Sequence, residues 1–99
     1  MLGVNDGLGY QIAYLRARAL EQAGRLDEAA ALYLQLANDA AMTFQEVDAL
    51  EDAARLNLSL GNASQAAELY GRLIEIAPEG TQPRAIYEMR QAEALAAIS

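Results

Sequence analysis

Apolar positions along this 99-residue chain recur every three or four residues, the period of an amphipathic helix rather than of a strand. From about Tyr10 the pattern is helical and breaks at only a few places. Gly24 follows the first stretch, and Asp27 is placed to cap a second, which carries Ala29, Ala30, Leu32, Tyr33, Leu36 and Ala37 on one face. Thr43-Phe44-Gln45-Glu46 reads as a capping box that opens a third helix, running to about Leu60. Gly61-Asn62 stops it. Ser64 then caps a fourth helix, with Ala66, Ala67, Leu69, Tyr70, Leu73 and Ile74 on its buried face. Pro78-Glu79-Gly80 ends that helix, and Thr81 or Gln82 with Pro83 in the first turn starts a fifth that reaches nearly to the C-terminus. Residues 1–9 hold three glycines and the turn signal Asn5-Asp6-Gly7, and read as a flexible tail. The expectation is an all-α chain of five helices.

This organisation repeats. With Gly24 placed over Gly61, an offset of 37 residues, Ala17 falls on Ala54 and Arg18 on Arg55. Ala29 then falls on Ala66, Ala30 on Ala67, Leu32 on Leu69, Tyr33 on Tyr70 and Leu36 on Leu73. A helix pair recurring at a period of 20 to 50 residues is the signature of a helical repeat array. The two runs, Gly24-Arg25-Leu26-Asp27-Glu28-Ala29-Ala30-Ala31-Leu32-Tyr33 and Gly61-Asn62-Ala63-Ser64-Gln65-Ala66-Ala67-Glu68-Leu69-Tyr70, resemble the turn and second helix of a tetratricopeptide repeat. Pro78 matches the proline that closes such a repeat. The resemblance implies right-handed antiparallel helical hairpins stacked as an α–α superhelix. One domain over residues 10–99 is expected: a first repeat at about 10–42, a second at about 43–79, and a C-terminal capping helix at about 81–98.

Composition agrees with the helical reading. Alanine fills about a fifth of the chain, leucine is next, and strand formers are few. Fourteen acidic residues face seven basic ones, giving a net charge of −7, which repels a phosphate backbone and excludes nucleic acid as the expected partner. Cysteine and histidine are both absent, removing thiol nucleophiles, thiolate metal sites and the commonest general base near neutral pH. No apolar run suffices to insert in a membrane. The Met1 end carries no signal-peptide pattern, so a cytoplasmic protein is expected if Met1 is the native start, and an envelope or membrane-anchored one if the chain is a piece of something longer.

Chemistry, if any, must come from Asp, Glu, Tyr, Ser, Thr and Arg. Asp48, Glu51 and Asp52 offer carboxylates on one helix, a conceivable seat for a small acidic metal-binding or enzymatic module. The simpler reading is a solvated acidic face with Glu51 supporting Arg55 one turn on. No cofactor site and no catalytic residue is expected.

The family resemblance instead implies a non-catalytic protein-interaction module, a scaffold or co-chaperone-like adaptor whose first helices line a concave groove. By register, Gln11, Tyr14, Arg18 and Gln22 face that groove from the first repeat, and Asp48, Glu51, Arg55 and Ser59 from the second. Tyr14, Arg18, Arg55, Ser59 and Arg90 are the expected partner-binding residues. Arg18 and Arg55 occupy the same repeat position, so the pair is placed to grip a carboxylate or acidic peptide segment, unless Arg55 is consumed by an internal acid. The fifth helix is apolar nearly all round, which adds an alternative: a self-assembly segment, forming a homo-oligomer or continuing a longer array through that helix.

Overall fold

The computed structural model describes residues 7–98. Five helices follow one another: α1 (Gly7–Gln22), α2 (Leu26–Asp39), α3 (Thr43–Ser59), α4 (Ala63–Ile76) and α5 (Gln82–Ile98), with no strand among the described residues. Residues 1–6 of the expected tail lie outside the described residues. Residues 7–9 are not tail but the first turn of α1. Tyr10 is buried and its hydroxyl donates to the Gln45 carbonyl at 2.7 Å, an anchor that holds the preceding turn helical despite its two glycines.

The 37-residue period is present in the backbone. α2 and α4 have 14 residues each and both their ends lie 37 apart, as do the C-terminal ends of α1 and α3. Both hairpin turns close identically. Gly24 and Gly61 share a φ of +83°, a conformation that an L side chain adopts only at a cost. The Arg25 amide bonds the Leu20 carbonyl and the Gly24 amide that of Glu21; Asn62 bonds Asn57 and Gly61 bonds Leu58 in the same manner. These are two copies of the Schellman motif. A Cβ at Gly61 would meet nothing within 4 Å, so Gly61→Ala isolates the backbone strain. It is expected to lower stability by about 1 kcal/mol, read as a lower urea midpoint with unchanged slope.

The helix starts differ from the sequence expectation. Asp27 lies inside α2, where its carboxylate accepts the Glu28 amide, and Arg25 occupies the cap without a side-chain capping bond, its guanidinium paired with Glu28 instead. The Thr43–Glu46 capping box does not form: Met42 is the cap, the Glu46 amide bonds the Met42 carbonyl, and the Glu46 carboxylate turns to Arg72 of α4 at 3.5 Å. Ser64 likewise lies within α4, with Asn62 at the cap and its amide group directed at the Asn57 side chain. In each hairpin the Schellman closure starts the next helix two residues early, so the expected capping side chain passes into the first turn. Thr81 does precede α5, with its hydroxyl on the Pro78 carbonyl.

Each helix packs mainly on its neighbours in sequence, and connectors of three to five residues make the chain double back at every step. The core runs along these seams. Ala17, Ala29, Ala49, Ala53, Ala54 and Ala66 are fully enclosed, which lets the helix backbones cross closely. Tyr33, Leu36, Leu50, Leu69 and Leu73 fill the space between them. Register mates behave alike: Ala17 and Ala54, Ala29 and Ala66, Tyr33 and Tyr70, and Leu36 and Leu73 are all buried, while Arg18 and Arg55 are both exposed. The result is a thin body with principal extents of 45 × 31 × 16 Å.

Candidate functional site

On α1, residues 11, 14, 18 and 22 fall within one helical stripe; on α3, residues 48, 52, 55 and 59 do the same. Packing turns both stripes to one side of the molecule, where α5 joins them. Tyr14, Arg18, Glu21, Asp52 and Arg55 line a depression of about 360 Å³ between α1 and α3. Asp52 and Arg55 also border a second, of about 430 Å³, where Glu51 and Ser59 of α3 meet Tyr87 and Arg90 of α5. Tyr14 and Arg18 border a third, of about 450 Å³, together with Tyr10, Leu15, Phe44 and Asp48. Shared walls make the three one trough along α1, α3 and α5. All five residues expected from sequence lie on it. Tyr14, Arg18 and Arg55 share one depression, and Arg55, Ser59 and Arg90 share the next.

Their electrostatics are not those of two open guanidinium groups. Arg55 forks onto Glu21, Nη1 to Oε2 at 2.9 Å and Nη2 to Oε1 at 3.1 Å, and its Nη2 also reaches Asp52 Oδ1 at 3.1 Å. The internal carboxylate of Glu21 therefore holds the bidentate position a ligand would take. The expected helical partner of Arg55, Glu51, is replaced by Asp52 and by Glu21, which lies 34 residues away in sequence. Hydrogen bonding to Arg55 holds the Glu21 carboxyl below its ordinary range, and the same bond, opposed by desolvation, raises Arg55. Arg90 is paired with Glu93 at 3.1 Å. Arg18 is exposed and, among the described residues, has no carboxylate within 4 Å. It stands close enough to Glu21 to help lower its pKa.

Two tyrosines on the trough give the acidic stretch of α3 its task. The Tyr14 hydroxyl donates to Asp52, and from the opposite side the Tyr87 hydroxyl donates to Glu51. Tyr14 also stands edge-on to Tyr33, with ring centroids 5.5 Å apart, and Tyr33 reaches Glu21 at 3.3 Å. Burial first, and hydrogen bonding to a carboxylate second, push the Tyr14 and Tyr87 hydroxyls well above their ordinary value of 10. Tyr10 is pushed up to about 12 by burial and then by the charges of Asp48 and Asp52. Asp48, Glu51 and Asp52 do not gather: Asp52 and Glu51 turn to opposite neighbours, and no group of three or more metal-ligating side chains occurs among the described residues.

The tyrosine–carboxylate pairs and Glu21 were not singled out by sequence reasoning. One signal was available, since Tyr14 and Glu51 are register mates at the repeat offset: successive first helices place a tyrosine and an acid at the same height. No helix among the described residues is long and apolar enough to cross a membrane. No protein-family model, curated protein or solved structure matches the chain, so the trough is read from its own chemistry.

Proposed function

We propose that this chain is a non-catalytic protein-interaction module, built as two tetratricopeptide-like hairpins and a closing helix, that takes an extended peptide along the trough of α1, α3 and α5. The observation that carries the reading is the contrast within that trough. Arg55 and Arg90 are occupied by Glu21, Asp52 and Glu93, whereas Arg18 is exposed and unpaired beside the exposed ring of Phe44. A peptide carboxylate set against Arg18, next to an apolar side chain resting on Tyr10 and Phe44, satisfies both features. Arg55, Tyr14 and Asp52 then act as a rigid wall, which spares the complex the ordering of loose side chains. Ser59 and Arg90 extend the site for the remainder of the peptide. The carboxylate preference rests on Arg18 alone.

The test uses a library of eight-residue peptides with a free C-terminal carboxylate and varied apolar neighbours, read by fluorescence polarisation against their amidated counterparts. Binding of free acids is expected to weaken about tenfold to a hundredfold on amidation or in Arg18→Gln, the range of a hydrogen bond to a charged group. Helicity of the variant is checked by circular dichroism. A library without binders, or one bound equally well by the Arg18→Gln chain, overturns the reading.

A further inference from the structure

The two terminal helices, α1 and α5, present matched faces away from the core. On α1, Leu8, Ile12, Leu15 and Ala19 form an exposed stripe with steps of four, three and four residues, and Leu8, Ile12 and Leu15 are 56%, 60% and 63% exposed. On α5, Ala85, Met89, Ala92 and Ala96 form an exposed stripe with the same steps, Met89 being 52% exposed. That spacing is the seam of a two-helix contact. The α1 stripe is made of large side chains and the α5 stripe mostly of small ones, a pairing that lets two helices approach closely.

The flanks are of opposite sign. Arg16 and Arg18 border the α1 stripe on either side; both are exposed, and neither has a carboxylate within 4 Å among the described residues. Glu88 and Glu93 border the α5 stripe on either side. Their present partners are the half-buried Arg84 at 3.7 Å and the exposed Arg90 at 3.1 Å, surface pairs of the weak kind that exchange readily.

The chain also shows what an inner helix does with such a face. α3 packs on both α2 and α4, and Ala49, Ala53 and Leu56 are buried along one side of it. Their register mates on α1 are Ile12, Arg16 and Ala19, all exposed. Arg16 marks the difference. An arginine in the place of the enclosed Ala53 does not suit another close-packed helix of the same array, but it does suit the edge of a seam whose partner carries acids.

We infer that the chain associates head to tail with a second copy of itself, the α1 face of one molecule seating on the α5 face of the next. The contact is heterologous, so it propagates: each added copy presents a fresh α5 or α1 face. It lies on the ends of the body, apart from Arg55, Ser59 and Arg90, and touches the trough only at Leu15 and Arg18, which line its α1 end.

The test is sedimentation velocity on the full chain over a concentration series, with Ile12→Glu blocking one face and Met89→Lys blocking the other. The wild-type mass is expected to rise with concentration past the dimer, and to fall back toward the monomer in high salt. Each variant alone should stay monomeric. An equimolar mixture of the two should stop at a dimer, because it contains one intact face of each kind. Both positions are exposed, so the fold is retained, and circular dichroism verifies this. As a milder check, Arg16→Glu weakens the association at least tenfold and Arg16→Glu with Glu93→Arg restores it. A wild-type monomer at every concentration, a dimer formed by either variant alone, or a mixture that stays monomeric overturns the inference.

Discussion

Between pH 10 and pH 12 this protein is expected to unfold in one cooperative step. All five tyrosines have hydroxyls raised above 10, each with burial as the largest cause. A group whose folded pKa exceeds its unfolded one leaves stability intact below the unfolded value and drains it as pH climbs through the folded value. Above pH 10 the unfolded chain ionises first, and each tyrosine then removes about 1.4 kcal/mol per pH unit. Several tyrosines titrating together exhaust the roughly 5–15 kcal/mol of a typical small domain within one to two units. The loss of helix in circular dichroism should coincide with the tyrosinate absorbance near 295 nm. Tyrosinate appearing near pH 10 in a chain that stays helical would show the hydroxyls to be open to water. On the acid side the sign reverses. Glu21 lies below its ordinary 4.5 through Arg55, so its contribution is present above that value and is lost as pH falls through the folded pKa. Glu21→Gln should flatten that limb and leave the alkaline one in place.

Truncation of Leu50 is the second change with a large expected effect. This side chain is fully enclosed on α3, the helix that packs against both α2 and α4. Leu50→Ala removes its contacts and leaves a cavity, at a cost of about 3 kcal/mol. Ile12→Ala, on the exposed stripe of α1, should change stability by less than about 0.5 kcal/mol. Urea titration of both variants measures the contrast. Equal losses would mean that α3 is not the centre of the packing.

The sequence made some of this legible. Helix periodicity and the glycine breaks located five helices, because the apolar stripes of α2 and α4 and the left-handed turns at Gly24 and Gly61 are properties of short windows. The offset of 37 also foretold which side chains share an environment, as Tyr33 and Tyr70 show. Capping was misread at Asp27, Thr43 and Ser64 because a helix start earlier by one residue at α3, or by two at α2 and α4, moves the expected capping side chain inside. Partner choice was misread for the same kind of reason. Reading along α3 pairs Arg55 with Glu51, but Glu21 approaches from α1 only once the first hairpin has packed, and Tyr87 then takes Glu51. Such contacts lie 34 and 36 residues apart and leave no trace in a helical wheel.

Neighbour-only packing has a kinetic consequence. Every substantial helix interface joins elements adjacent in sequence, so folding never has to close a loop much longer than one hairpin. Chains of low contact order cross small entropic barriers, and helical ones commonly fold within microseconds to milliseconds. A nucleus can form at either Schellman turn and grow from there. Since the two turns are equivalent, stopped-flow refolding should show routes starting from both ends of the chain, with substitutions in either hairpin slowing only one of them.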